Sequence, residues 1–219
     1  MKHLIITILM LATGMVSNAQ IYEVGAFLGG SNLISDVGSD NYIDPNRFAV
    51  GALVKWNRSP RYSYRASFMY SRVAANDKDS DNSRRRQRGF AFKNTIKEAS
   101  VGMEFNFFEF DLHEYGFTHT PYVYLGLSFF QFGTRDGDDE DFAIPLTVGY
   151  KVKLNERFIL GAEIGARTTF TDNLDLSNPN DSDTFDGENF GNINSKDWFV
   201  FSGFTLTYTF GKRPCYCRE

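Results

Sequence analysis

Trp198–Phe210 reads WFVFSGFTLTYTF and decides the fold. One face carries Trp198, Val200, Phe204, Leu206, Tyr208 and Phe210, interrupted by Ser202. The other carries Phe199, Phe201, Gly203, Thr205, Thr207 and Thr209, polar or small over its second half. Alternation with period two is the mark of a strand with one apolar and one polar face. Its aromatic end is that of the closing strand of a membrane barrel, set at an aromatic girdle.

Seven earlier stretches repeat the pattern. Tyr22–Gly29 sets Val24, Ala26 and Leu28 against Glu23, Gly25 and Phe27. Arg47–Trp56 sets Phe48, Val50, Val54 and Trp56 against Arg47, Gly51 and Lys55, and Arg61–Ser71 sets Tyr62, Tyr64, Ala66, Phe68 and Tyr70 against Ser63, Arg65, Ser67 and Ser71. A fourth strand runs to about Phe108, with Val101, Met103 and Phe105 opposite Glu98, Gly102 and Glu104. Thr120–Phe132, Phe142–Lys153 and Phe158–Phe170 complete the set. The expected fold is all-β, an eight-stranded antiparallel transmembrane barrel of the outer-membrane type over residues 20–210.

The connections support this. Gly30–Pro45, Val73–Gly89, Gly133–Asp141 and Thr171–Lys196 read as long or acidic loops; Asn57–Pro60, Glu109–Thr118 and Leu154–Arg157 are shorter. Such barrels alternate long outer loops with short periplasmic turns, so an even strand number places both termini in the periplasm. Met1–Ala19 reads as a secretory signal, with Lys2, an apolar Leu4–Leu11 and a small-residue site at Ser17-Asn18-Ala19.

The 219 residues fit one domain, and a mean hydropathy of −0.33 fits strands rather than spanning helices. A net charge of −4 gives no basic field for nucleic acid. The expected inward face carries Glu23, Lys55, Arg65, Glu98, Glu104, Lys151, Glu163 and Arg167. Eight strands leave a bore that side chains fill, and unpaired buried charge is costly, so these residues are expected to form an ion-paired plug rather than a pore.

Catalytic and metal chemistry are poorly represented. His113 and His119 have no ligand cluster, the acidic stretches Asp136–Asp141 and Asp172–Asp186 lack ordered calcium-loop spacing, and no nucleophile–base arrangement is legible. No enzyme activity, cofactor or small-molecule substrate is expected. Arg84–Arg88 reads as a charge-balanced loop, its acids just upstream, in preference to a lipopolysaccharide contact.

The tail, 211–219, is not needed by the barrel. It carries Lys212, Arg213, Cys215, Tyr216 and Cys217. Two cysteines one residue apart close on each other only with strain, so in an oxidising compartment they suit a bond to another chain.

Across nearly the whole mature length the chain resembles the PorG family of the type IX secretion system. The resemblance is carried by Tyr22–Asn32 (YEVGAFLGGSN), Ser35–Tyr42, Ala49–Trp56, Asp79–Arg84 followed by Phe90–Asn94, Glu104–Glu109 (EFNFFE) and Thr120-Pro121-Tyr122. It implies a structural outer-membrane barrel, set in outer-membrane lipid and associated with a periplasmic ring of the lipoprotein PorK (GldK in gliding bacteria) and PorN (GldN). That apparatus exports proteins bearing a C-terminal sorting domain. The alternative is a small OmpX-like or OmpA-like surface barrel, an adhesin or membrane-stability protein working through its outer loops. A lipid-modifying barrel enzyme is weakly supported because no histidine lies in the expected outer loops, and a lipocalin-like carrier, conceivable from the strand count, would be apolar inside and wet outside.

Overall fold

The computed structural model describes residues 21–35, 37–38, 41, 43–112, 116–134, 137–171, 174 and 197–211. The signal segment, His113 and the tail residues Lys212, Arg213, Cys215, Tyr216 and Cys217 lie outside them, as does most of 172–196.

Eight strands close into one antiparallel barrel in sequential order: β1 Ile21–Ile34, β2 Arg47–Asn57, β3 Tyr62–Asn76, β4 Ala91–Asn106, β5 His119–Gly133, β6 Asp138–Lys153, β7 Phe158–Thr169 and β8 Trp198–Gly211. The first pairs with the last from Ile21↔Gly211 to Ile34↔Trp198, so no edge is left open. Residue 211 therefore belongs to the closing strand, not to the tail.

Along β4, Val101 is 62% exposed while Glu104 is fully buried. Leu28, Phe48, Leu125, Leu127, Val148 and Phe204 share the exposed band, and stacked or edge-on rings rim it, among them Tyr22–Phe210, Trp56–Tyr64 and Phe158–Tyr208. A surface apolar outside and charged inside inverts the soluble arrangement and fits hydrocarbon. Among the described residues no helix is long and apolar enough to cross a membrane; this barrel crosses with strands.

Three of the expected loops are shorter than their composition suggests. β1 continues to Ile34, β3 continues to Asn76 with β4 beginning at Ala91, and β6 begins at Asp138. About ten residues suffice to span a bilayer, so 16-residue strands such as β4 and β6 project beyond the apolar band at the loop end. Beyond the band the alternation persists with its polarity reversed. On β3 and β4, Val73 and Phe92 point in while Arg72 and Lys93 face out.

The rest of the β3–β4 connection is ordered too, as a 3-10 turn over Asp77–Asp79 and a short helix, α1, Ser83–Arg88. The Asn82 side chain caps α1 by accepting from the Arg84 N–H at 2.9 Å. Gly89 ends it with φ 68°, a left-handed conformation favouring glycine. Arg85, Arg86 and Arg88 occupy the last turn, where cations suit the helix dipole.

Candidate functional site

The barrel interior is the most elaborated part of the molecule, and it is layered. Nearest the termini, Glu104 is fully buried and receives Lys55 Nζ at 2.9 Å on Oε1 and 2.7 Å on Oε2, and Lys151 Nζ at 2.6 Å. Arg65 lies 3.8 Å from the same carboxylate and binds Glu163 through two parallel bonds of 2.7 and 2.8 Å. Tyr122 donates its hydroxyl to Glu163 Oε2 at 2.5 Å, and the ammonium groups of Lys55 and Lys151 each stand 5.3 Å from the Tyr122 ring centre. The ring occupies the space beside Gly149, where an added Cβ would overlap it.

One layer further, Arg167 Nε reaches Glu98 at 3.2 Å, its Nη1 donates to the Gly165 carbonyl at 2.8 Å, and its guanidinium stacks 4.5 Å from the Phe201 ring centre. Glu23, expected among the ion pairs, is held by neutral donors instead. Asn57 Nδ2 reaches it at 2.8 Å and Thr207 Oγ1 at 2.7 Å. The interior otherwise brings the expected charges together: Lys55, Arg65 and Lys151 around Glu104 and Glu163, and Arg167 on Glu98.

Both mouths of this polar section are closed. At the loop end Phe27, Phe130, Phe199 and Phe201 fill the bore, with Phe199 5.4 Å from Phe130 and 5.5 Å from Phe201 between ring centres. At the terminal end, Phe110 from the β4–β5 connection is buried with its ring 4.8 Å from Lys151 Nζ. Its N–H donates to Pro60 O at 3.1 Å, and Lys153 Nζ donates to Leu112 O at 3.1 Å, drawing that connection across the opening.

A second centre, outside the membrane strands, was not legible from sequence. Asp77 is fully buried and accepts from Arg88 Nε at 2.6 Å, Arg88 Nη2 at 2.8 Å, and the N–H groups of Gly38 and Phe90 at 3.1 Å each. Burial pushes the carboxyl pKa up, but the Arg88 and backbone donors outweigh it and hold it below the ordinary value. Arg85 adds a bond from Nη1 to Gly38 O at 3.1 Å, so α1 is tied to the β1–β2 connection.

Among the described residues, these arrangements hold Glu23, Glu98, Glu104 and Glu163 with cations or hydrogen-bond donors. Among the described residues no three His, Cys, Asp or Glu side chains are grouped to hold a metal ion. The His119 ring stacks on Tyr150, with the hydroxyl 2.5 Å from Nδ1. Tyr122, Asn57 and Thr207 share the inward parity that marked the charged residues, and that parity is the signal by which they could have been found.

The chain is similar to several small barrels. The N-terminal β-barrel domain of Pseudomonas aeruginosa OprF is 12% identical, with 89% of this chain and 100% of that one covered and a TM-score of 0.48. A major outer membrane protein from Thermus thermophilus is 16% identical, with 88% and 100% covered and a TM-score of 0.47. Ail, the attachment invasion locus protein of Yersinia pestis, is 12% identical, with 88% and 100% covered and a TM-score of 0.44. No curated protein sequence matches. The family model described as a domain of unknown function, DUF6089, matches residues 2–219, and the chain belongs to that family.

Proposed function

We propose that this barrel is a structural anchor in a type IX protein secretion apparatus, set in the outer membrane with both termini periplasmic and docking a lipoprotein ring of the PorK/GldK and PorN/GldN kind. The observation that carries the reading is the closed interior. Buried side chains fill the bore from Phe110 to the Phe199–Phe201 layer, which supports a role exercised through the protein's surfaces rather than through a pore. The terminal-end surface is suited to a partner: Phe108 and Phe117 are exposed with both rings against His119, in the connection that closes the mouth and pairs Glu109 with Arg61. The resemblance to the PorG family and the thiols Cys215 and Cys217 point to the same end. No catalytic role is assigned, because the buried carboxylates are held by cations or hydrogen-bond donors.

The ordered loop end, with Asp77 tying two connections, favours a second reading as a small surface barrel acting through its loops. Co-purification and secretion assays separate the two. Removal of 212–219 is expected to release the lipoprotein partner and depress export, while trimming 174–188 leaves both intact. The reverse pattern supports the surface barrel and rejects the anchor.

A further inference from the structure

The outer wall carries a cationic groove at the upper border of the apolar band. On β3 the outward positions run Phe68, Tyr70, Arg72; on β4, coming down from the loop end, they run Lys93, Thr95, Lys97, Ala99, Val101; on β5 Phe129 is followed by Gln131. The register places the change from apolar to cationic at one height. Tyr70 pairs with Lys97 and Lys97 with Gln131, while Arg72 lies opposite Thr95 and Ala74 opposite Lys93. Of these, Arg72, Lys93, Thr95, Lys97 and Gln131 line a groove of about 720 Å³, with Arg47 also in its lining.

None of Arg47, Arg72, Lys93 and Lys97 stands in an ion pair with a described residue. Lys97 Nζ donates to the neutral Gln131 Oε1 at 3.0 Å, and Arg47 Nη1 to the carbonyl of Asn46 at 3.2 Å. Asp138 is the one carboxylate among the described residues of the lining, and Glu140 stands next to Gln131 in the register. Among the described residues the lining therefore carries four cations against one anion, an imbalance that the balanced interior does not share.

We propose that this groove binds the phosphorylated headgroup of a membrane lipid. Long cationic side chains at the edge of a hydrocarbon band extend toward the headgroup layer, where lipid phosphates lie. Tyr70, Phe68 and Val101 directly below offer apolar wall to the acyl chains of the same molecule. A free anion would use only the upper half of such a site. The proposal concerns the outer wall and is independent of docking at the terminal end.

The test reconstitutes the full chain in phosphatidylcholine nanodiscs doped with bisphosphorylated lipid A or its dephosphorylated form, and counts retained lipid by native mass spectrometry. The wild type is expected to retain the phosphorylated form selectively. Arg72→Gln, Lys93→Gln and Lys97→Gln together should lower that retention by about tenfold or more, while Arg84→Gln with Arg86→Gln in α1 leaves it unchanged. Equal retention by the groove variant, equal retention of the dephosphorylated lipid, or the same loss in the α1 variant overturns the proposal. Displacement by equimolar inorganic phosphate identifies a free-anion site and also overturns it. Should the triple variant fail to fold, Lys93→Gln alone carries the comparison, with a several-fold loss expected and no loss contradicting.

Discussion

Arg65 on β3 and Glu163 on β7 stand on opposite sides of the eight-strand ring and meet across the bore, Nη1 to Oε2 at 2.7 Å and Nη2 to Oε1 at 2.8 Å. Two parallel bonds fix the guanidinium in the plane of the carboxylate. Lys55 on β2 and Lys151 on β6, also on opposite sides, converge on Glu104 of β4. These contacts act as struts across the bore.

Purified protein in planar bilayers is accordingly expected to show no stable porin-like conductance. Phe110→Ala, Phe199→Ala and Phe201→Ala with Arg65→Ala and Glu163→Ala should open measurable steps. A steady open channel in the wild type would contradict the filled interior.

Arg65→Ala strands the Glu163 carboxylate among Tyr122 and the barrel wall. Removal of one partner of a buried pair costs about 3–5 kcal/mol, so the urea midpoint should fall markedly. Arg65→Met with Glu163→Met removes both charges and should recover most of the loss. Equal damage from the single and the double change would show that the pair is not the cause.

Leu125 faces out near mid-strand on β5 and is 56% exposed. Leu125→Arg places a cation in hydrocarbon and should destabilise the barrel by about 2–4 kcal/mol in vesicles. The same change on a surface that meets water costs far less. An unchanged unfolding midpoint in vesicles would remove Leu125 from the bilayer.

Asp77 gives the loop end a pH dependence. Its folded carboxyl is held below the ordinary value, so its contribution is fully present above the unfolded pKa and is lost as pH falls through the folded one. Protease cleavage within 78–88 should rise on acidification below the usual carboxylate range. Asp77→Asn should cleave readily already at neutral pH. Cleavage independent of pH in the wild type would sink this assignment.

The membrane-facing strands were legible because one solvent, hydrocarbon, selects one face along their whole length. Val101, Met103 and Phe105 against Glu98 and Glu104 give that pattern directly. The loop-end extensions were not. There the outer face meets water and headgroups while the inner face packs on Phe130 and Phe199, so Val73 and Phe92 turn in and Arg72 and Lys93 turn out. In the sequence that polarity reversal looks like the end of a strand at Ser71, whereas β3 runs on to Asn76. Inward charges followed from parity, whereas their pairing across 98 residues, as between Arg65 and Glu163, depends on closure and stagger. Asp77 was hidden among Asp79 and Asp81, since nothing local marks which acid is buried.

The most direct measurement of the anchoring role is a non-reducing gel of outer membranes, with and without reductant, on wild type and on Cys215→Ser with Cys217→Ser. A reductant-sensitive high-mass band containing a lipoprotein, absent from the double variant, is the expected result. A monomer alone in the wild type, with export and ring association unchanged in the variant, would contradict a covalent hold through the tail.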